Sequence, residues 1–370
     1  MTHRSLIWLC VGILFSAIGL YLAFRNVPLS ALVAYARQFD YRWSLPAATA
    51  LALAYLVRTV RWYWLLLPAG KSRMTSAYHS IVISMMINCL LPGRAGELAR
   101  PLVLKKTDSI PMSSSLAALG VERLLDLWAL LTLLLPIFMA IGTDQSTVVH
   151  FNGLTLSREL LMDLSGMALA TAAGLMAVVL VIGSDRLRGA FMAWMLRWPV
   201  CFRSAGMNTM GNRLELTLPK LVGLIENSAA GFRAICRLKG FLMAAAVSVV
   251  FWGMNALCFF CLSLGSQGID LSLGNMASVM VIICLFIALP SVPGFWGLWE
   301  AAGVFALSLY GISNEMAAGF ALFSHAFTLI PVIVAGWLSC LVLGLNWTHW
   351  AHPMAVGRTQ EESRQAATLE

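Results

Sequence analysis

Long runs of apolar residues recur along this chain and constrain its fold more than any other feature of the sequence. A helix needs roughly 20 predominantly apolar residues to cross the hydrocarbon core of a bilayer. Six stretches reach this length: 5–24, 45–67, 113–141, 159–183, 239–265 and 316–345. Only 11% of the residues are charged, against about 25% in soluble domains. The sequence therefore predicts an all-α, polytopic membrane helical bundle.

Two further apolar stretches do not read as simple spans. Residues 77–91 are short and end at a Pro-Gly pair, and residues 275–311 are interrupted in the middle by prolines and a glycine. Counting crossings from an internal N-terminus closes only if both stretches return to the side they entered. We therefore predict about six full spans plus two re-entrant, broken-helix hairpins, one from each face. The alternative is that 77–91 spans fully, which would invert the charge pattern downstream.

The two interruptions share a sequence pattern. Residues 91–97 read LPGRAGE and residues 292–300 read VPGFWGLWE, so both follow apolar-Pro-Gly-x-x-Gly with a glutamate soon after. Proline removes a backbone donor and glycine accepts unusual backbone angles, so each segment predicts a turn that opens a new helix. Interrupted segments in two halves of a chain are typical of transporter binding sites. An inverted repeat would explain why the pattern occurs twice. The alternative is that this pattern is simply common at helix breaks.

The distribution of basic residues predicts the orientation. Segment 184–239 holds nine lysines and arginines against three acids, whereas loops 142–158 and 266–274 hold few charges. The positive-inside rule then predicts a multi-pass protein of the cell inner membrane with both termini cytoplasmic. The formal charge of +8 lies in gaps between apolar runs, not in a basic patch of a soluble domain, which argues against a nucleic-acid partner.

Arg58 and Arg61 lie three residues apart within an apolar helix and therefore share a face. Ionisable groups inside spans are costly, so each is a candidate for function. These arginines could meet a lipid phosphate. The alternative is that they extend to the inner interface between flanking tryptophans.

Asn88, Arg94, Glu97 and Arg100 surround the first Pro-Gly pair. If that turn opens a helix, the three charged residues lie near its N-terminus, where backbone N–H groups and arginines bind anions. An internal salt bridge of Glu97 that fixes the turn is the competing interpretation.

Glu122, Arg123 and Asp126 form the third cluster. Glu122 and Asp126 are four residues apart and would repel each other on one helix face unless a cation lies between them. Arg58, Arg61, Arg94 or Arg100 could supply it, either as a structural network or as a gate that opens and closes.

Glu300 and His325 form the fourth cluster. An embedded glutamate and histidine could bind substrate or relay protons. A histidine that only packs and hydrogen-bonds in its helix is the plainer alternative.

No nucleotide-binding loop, nucleophile elbow or metal-ligand signature occurs in the sequence. We therefore expect no cofactor and no enzymatic activity. The embedded acids and histidine leave an intramembrane lipid enzyme as a lesser alternative.

Four segments together resemble one known family. RTVRWYWLLL, NCLLPGRAGELARPLVLKK, LGVERLLDL and PSVPGFWGLWEAAGVFALSLYGI are similar to the lysylphosphatidylglycerol synthase transmembrane region, a flippase-like domain. The resemblance implies one transmembrane flippase-like domain over 1–350, which includes the basic cytoplasmic segment 184–238. A disordered tail would follow at 351–370, with no aminoacyl-transfer domain.

The resemblance also implies a function. Stand-alone relatives look like lipid translocators, which predicts a flippase or scramblase-like protein for an anionic or phosphate-bearing phospholipid. The alternative is a non-transporting scaffold or subunit for a glycosyltransferase or lipid-modifying enzyme. Stretches rich in small residues, such as 167–179, would suit a homodimer.

Overall fold

The computed structural model describes residues 3–91, 94–133, 149–151, 154–156, 185–199 and 238–345, with isolated positions between 163 and 218. The helices within these residues are α1 His3–Phe24, α2 Leu29–Gln38, α3 Ser44–Leu66, α4 Met74–Leu90, α5 Gly96–Asp108, α6 Met112–Leu133, α7 Asp185–Met195, α8 Leu238–Leu264, α9 Leu273–Phe286, α10 Leu298–Ser308 and α11 Asn314–Val342. Strands β1 Val149–Phe151 and β2 Leu154–Leu156 form a short antiparallel hairpin inside the predicted loop 142–158.

The helices confirm a polytopic membrane bundle. Among the described residues, three helical stretches are long and apolar enough to cross a bilayer: Tyr41–Ala69, Met243–Leu264 and Asn314–Val342. The pair α1 and α2, bent by 74°, adds a fourth if it counts as one broken span. Most of predicted span 159–183, the end of 113–141 and the predicted tail 351–370 lie outside the described residues. The predicted number of about six spans therefore stays a prediction.

Helices α3 and α8 run antiparallel, and contacts join them at both ends of the pair. The Arg61 guanidinium donates to the Ser248 hydroxyl at 2.6 Å near one end of the α3–α8 pair. At the other end, the Asp40 backbone N–H donates to the Gly265 carbonyl at 2.9 Å. Helix α11 packs mainly on α4, α10 and α2. It approaches two of them closely at glycines: Gly319 meets Tyr35 of α2, and Gly336 meets Met86 of α4.

Two helical hairpins begin at opposite ends of α11. The first hairpin, α4–α5, lies along the second half of α11, where His79 Nδ1 is 2.9 Å from the Ser339 hydroxyl. The second hairpin, α9–α10, lies along the first half, where Gly303 faces Ala321. Helix α4 has 17 residues and α9 has 14, so at about 1.5 Å per residue each is shorter than a bilayer core of about 30 Å. This arrangement is the one that an inverted repeat requires; re-entry into a bilayer remains a prediction.

The turns of the two hairpins contact each other. A guanidinium nitrogen of Arg94, just after α4, donates to the Ile287 carbonyl at the end of α9 at 2.9 Å. Gly294, in the second turn, faces the backbone carbonyl of Cys89. Pro92 and Gly93 lie outside the described residues. The described residues on either side of them (91, 94 and 95, the first turn) and residues 287–297 (the second turn) are therefore joined by a direct contact.

Asp108 ties the end of α5 to the start of α4. Its carboxylate accepts hydrogen bonds from the Arg73 backbone N–H at 2.8 Å, the Ser72 hydroxyl at 3.1 Å and the Ser76 hydroxyl at 2.8 Å. Burial raises the pKa of Asp108, but these hydrogen bonds outweigh burial and hold the pKa below its usual range. The first hairpin is thus fixed at its open end.

Gly96 is where α4 and α5 approach most closely, and it provides a test of the first hairpin. A Cβ there would overlap the Ser84 carbonyl oxygen and the Asn88 side chain. We expect Gly96→Ala to destabilise the protein by about 1–3 kcal/mol, because the hairpin must separate to admit a methyl group. The measurement is the unfolding free energy in mixed detergent micelles.

The matched control for this substitution is Gly120→Ala in α6, where a Cβ meets no atom within 4 Å. Alanine there should leave stability unchanged or raise it by about 0.5–1 kcal/mol, because it lowers the entropy of the unfolded chain. Equal losses for both variants would contradict close packing at the first hairpin.

Candidate functional site

Six charged residues from three helices form one cluster, the charge cluster, in which all but the partly exposed Arg123 are buried. Helix α3 contributes the first two members, α5 the third and α6 the last three: Arg58, Arg61, Arg100, Glu122, Arg123 and Asp126. Their positions follow from helical spacing, because residues three or four apart share a face. Helix α6 therefore presents its two acids toward the arginines of α3.

Glu122 is the centre of the charge cluster. One carboxylate oxygen lies 2.6 Å from an Arg100 guanidinium nitrogen. The other lies 3.1 Å from Arg58 and 3.3 Å from Arg61. The side chain of Glu122 is fully buried, so these contacts replace the water that a carboxylate would otherwise require.

Asp126 forms the second anchor. Its carboxylate lies 2.7 Å from an Arg61 guanidinium nitrogen and accepts a hydrogen bond from the Trp252 indole N–H at 3.2 Å. Arg123 bridges both acids more loosely, at 3.4 Å from Glu122 and 3.6 Å from Asp126. Arg123 is therefore the arginine of the cluster that is least occupied by internal partners.

Aromatic rings cover the arginines. The guanidinium carbons of Arg58 and Arg61 lie 5.4 Å and 5.3 Å from the Phe251 ring centre, and that of Arg100 lies 4.9 Å from Trp62. Such cation–π contacts stabilise a desolvated cation by up to about 2 kcal/mol. They help α3 and α5 to hold positive charge where no further carboxylate is supplied.

The charge cluster carries more positive than negative charge. Four arginines surround two carboxylates. Among the described residues, the cluster atoms that are buried without a hydrogen-bond partner are five arginine nitrogens and one carboxylate oxygen: Nε and Nη2 of Arg61, Nε and Nη2 of Arg100, Nε of Arg123 and Oδ2 of Asp126. Uncompensated charge inside a membrane is costly. The cluster is therefore suited to receive an anion.

A cavity of about 230 Å³ opens beside the charge cluster, between α3, α4, α8, α9 and α11. Its polar wall is formed by Arg58, Asn88, Arg94, Glu97, Arg123, Asp126, Asn255, His325 and Thr328. The remaining wall is apolar and aromatic, with Phe251, Trp252, Phe259 and Trp299 among its residues. The cavity thus has one polar wall that carries arginines and one apolar wall.

Glu300 and His325 face the charge cluster from the other side of the cavity region. His325 Nδ1 lies 2.6 Å from a Glu300 carboxylate oxygen, and His325 Nε2 lies 2.8 Å from the Gly294 carbonyl oxygen. The second Glu300 oxygen accepts the Gly297 backbone N–H at 2.7 Å. Glu300 is the third residue of α10, so this last bond is the contact from the N3 side chain to the N-cap N–H that occurs in a capping box.

A comparison with known families decides what kind of protein has this site. The model of the family described as lysylphosphatidylglycerol synthase TM region matches residues 9–336. The chain belongs to this family.

Two further comparisons give the distance to known proteins. Glycosyltransferase AglD of Haloferax volcanii is 24% identical over 370 residues, which cover 95% of this chain and 57% of that protein. The chain thus spans little more than half the length of that relative. No solved structure matches this chain.

In this member of the lysylphosphatidylglycerol synthase transmembrane family, the first and third predicted clusters meet in one place and are joined there by Arg100 of the second. Arg58 and Arg61 do not extend to an interface: they are only 6% and 0% exposed and paired with acids. The cation between Glu122 and Asp126 is chiefly Arg61. Arg94 does not join them; it lies 4.0 Å from Glu97 and binds the second turn.

Some predicted residues of this family member have structural partners. The Asn88 side-chain oxygen accepts the Gly96 backbone N–H at 2.8 Å and closes the first turn, although Asn88 also lines the cavity. Glu300 is fully buried behind His325. Arg61, Arg100 and Glu122 lie behind the cavity wall, so they position the residues that line it.

Sequence reasoning missed the contribution of α8. Ser248, Phe251 and Trp252 hold Arg61, Arg58 and Asp126. Uncharged aromatic residues carry no distinguishing signal inside an apolar run, because such residues are common in all spans. A spacing of four between Ser248 and Trp252 was the only pattern that placed them on one face.

Proposed function

We propose that this protein translocates an anionic, phosphate-bearing lipid across a membrane. The observation that carries the proposal is the excess of buried arginines beside a cavity in a polytopic bundle. Membership in a family named for a lipid synthase and a relative named as a glycosyltransferase support a role at membrane lipids. Catalysis is not part of the proposal.

The cavity suits a head group better than a whole lipid. About 230 Å³ is below the range of roughly 300–1,000 Å³ typical of drug-sized ligand sites, so the acyl tails would remain in the bilayer. Arg58, Arg94 and Arg123 line the wall and offer planar donors that match phosphate oxygens. Arg94 would exchange its Glu97 contact for the phosphate.

The proposed route passes between the two turns. Each hairpin starts at a different end of α11, so the contact between Arg94 and Ile287 separates the two ends of the bundle. Separation of the turns would let a head group held by the arginines face either side. The inner membrane of a bacterium, with cytoplasmic termini, is the location that the charge pattern favours.

Reconstituted vesicles test this function. The purified protein is placed in proteoliposomes with fluorescent phosphatidylglycerol or phosphatidylcholine analogues, and a membrane-impermeant reductant reports the lipid in each leaflet. We expect the protein to speed exchange of the anionic analogue above the rate in protein-free vesicles, and more than that of the zwitterionic one. No acceleration of either analogue would contradict translocation.

A second function is favoured by one observation, the relative named as a glycosyltransferase that is longer than this chain. In this reading the protein is a scaffold for a lipid-modifying or glycosyltransferase partner, with the basic segment 184–238 as the docking surface. Capture in mild detergent of a stoichiometric enzyme, combined with no lipid movement by the purified protein, would favour it. A homodimer would be compatible with both functions.

A further inference from the structure

The contacts of His325 define how many protons it shares with Glu300. A carbonyl oxygen can only accept a hydrogen bond, so His325 Nε2 must carry a hydrogen to bind the Gly294 carbonyl at 2.8 Å. The contact between Nδ1 and Glu300 at 2.6 Å then requires a second hydrogen. That hydrogen resides on the ring, beside a carboxylate, or on a neutral carboxylic acid. In both cases the pair holds one proton and is neutral.

Loss of that proton cannot preserve both contacts. A neutral ring has one N–H, which can serve either Glu300 or the Gly294 carbonyl but not both. The carboxylate is the stronger acceptor, because hydrogen bonds to charged groups are about twice as strong as neutral ones. The Gly294 contact is therefore the one that breaks, and with it the bond that holds the second turn to α11.

The surroundings of Glu300 and His325 determine what the loss of this proton would change. Glu300 and His325 are 0% and 1% exposed, so water does not replace a lost contact. The ring of His325 stacks on Trp299 at 4.6 Å and 9° and contacts Trp296 at 4.6 Å. The stacked Trp299 ring presents its π face to His325, which favours a cationic imidazole. His325 also lines the cavity, which gives the proton a path toward the substrate site.

We propose that Glu300 and His325 form a one-proton site that couples proton binding to movement of the second turn, and so to lipid translocation. This inference rests on the proposed function and names its energy source. With the proton bound, the second turn stays on α11 and in contact with Arg94. Without it, the Gly294 carbonyl is freed and the turn can leave the first hairpin.

Other titratable groups near the site must be separated from the pair. The described groups that face this region come from α3, α4, the first turn, α5 and α9, and from the charge cluster across the cavity: Tyr55, Cys89, Arg94, Glu97, Cys284, Arg58, Arg123 and Asp126. None of them touches His325 through a hydrogen bond recorded among the described residues. A substitution at Glu300 therefore isolates the pair.

Glu300→Gln is the decisive variant because its amide imitates the proton-bound state. The Gln oxygen can accept the Gly297 N–H, and its NH₂ can donate to His325 Nδ1, which leaves Nε2–H for the Gly294 carbonyl. The variant should keep both contacts without a titrating proton. Glu315→Gln, an exposed acid in the first turn of α11, is the matched control.

The first readout is hydrogen exchange of peptides that cover residues 288–299, in detergent and without lipid substrate. After correction for the intrinsic exchange rate, wild type and Glu315→Gln should lose protection as pH rises, by at most about tenfold per pH unit for one proton. Glu300→Gln should show pH-independent protection. Wild type with flat protection, or a Glu300→Gln variant with the wild-type slope, would overturn the proton site. If Glu300→Gln does not fold, the wild-type slope alone decides.

The second readout is lipid exchange in proteoliposomes with an imposed pH gradient. We expect the gradient to change the wild-type rate at least severalfold and to leave that of Glu300→Gln unchanged. If the wild-type lipid-exchange rate does not change with the pH gradient and hydrogen-exchange protection does not change with pH, the inference is overturned. The proposed translocation is not affected by that result. A pH-dependent protection in a protein that moves no lipid would keep the proton site and refute the proposed function.

Discussion

Replacing Glu122 by glutamine is expected to destabilise the folded protein by about 3–5 kcal/mol, which is the usual loss when one partner of a buried ion pair is removed. Glu122 lies within 2.6–3.4 Å of guanidinium nitrogens from Arg58, Arg61, Arg100 and Arg123. Without its charge, those four cations would share a buried space with Asp126 alone. The arginines of α3, α5 and α6 would then repel one another and would lack the carboxylate that replaces water around them.

The measurement for Glu122→Gln is the unfolding free energy from denaturation in mixed detergent micelles. Glu97→Gln is the matched control, because Glu97 is half-buried and its one recorded ion contact, with Arg94, is 4.0 Å long. That control should change stability by less than about 1 kcal/mol. A Glu122→Gln loss as small as that of Glu97→Gln would mean that the charge cluster does not hold the three helices together.

Replacing Arg123 by alanine is expected to weaken capture of an anionic lipid by roughly 10–100-fold, because a hydrogen bond to a charged group contributes about 1.5–3 kcal/mol. Arg123 is the cluster member with the longest internal contacts, its side chain is 34% exposed, and it lines the cavity. Its loss leaves Glu122 with three other arginines. The effect should therefore fall on lipid binding and exchange while folding is retained.

Exchange of fluorescent phosphatidylglycerol in proteoliposomes measures the Arg123 effect, with the unfolding free energy measured in parallel. Arg37→Ala, an exposed arginine on α2 away from the cavity, should exchange lipid at the wild-type rate. Arg123→Lys should fall between, because an ammonium keeps the charge but loses the planar donor pair. Wild-type exchange by Arg123→Ala would remove this arginine from the proposed head-group site.

Apolar run length predicted the long helices well. Predicted spans 45–67, 239–265 and 316–345 differ from α3, α8 and α11 by one to three residues at each end. Length alone determines such helices, because a bilayer requires that many apolar residues whatever their neighbours. The Pro-Gly-x-x-Gly pattern likewise predicted the end of α4 and the starts of α5 and α10, whereas α9 ends at Phe286, well before its pattern begins at Val292.

Contacts between distant segments could not be predicted in the same way. Arg94 was grouped with Arg100 by its spacing, but the left-handed backbone at Arg94, with φ 54°, turns its side chain toward Ile287 instead. The bond between Tyr35 and Ser266, which attaches α2 to the loop after α8, has no local signal either. Helical spacing shows which residues share a face, but not which helix that face will meet.

The contact between the two turns also bears on the thickness of the barrier that a polar group must cross. Helices α4 and α9 have only 17 and 14 residues, and their ends touch through the Arg94 side chain and the Ile287 carbonyl. Polar backbone from both ends of the bundle thus reaches one shared level. With the hairpins embedded as proposed, the insulating layer at that point narrows to the span of a single side chain. A head group would then cross a thinner apolar barrier at this point than in the surrounding bilayer.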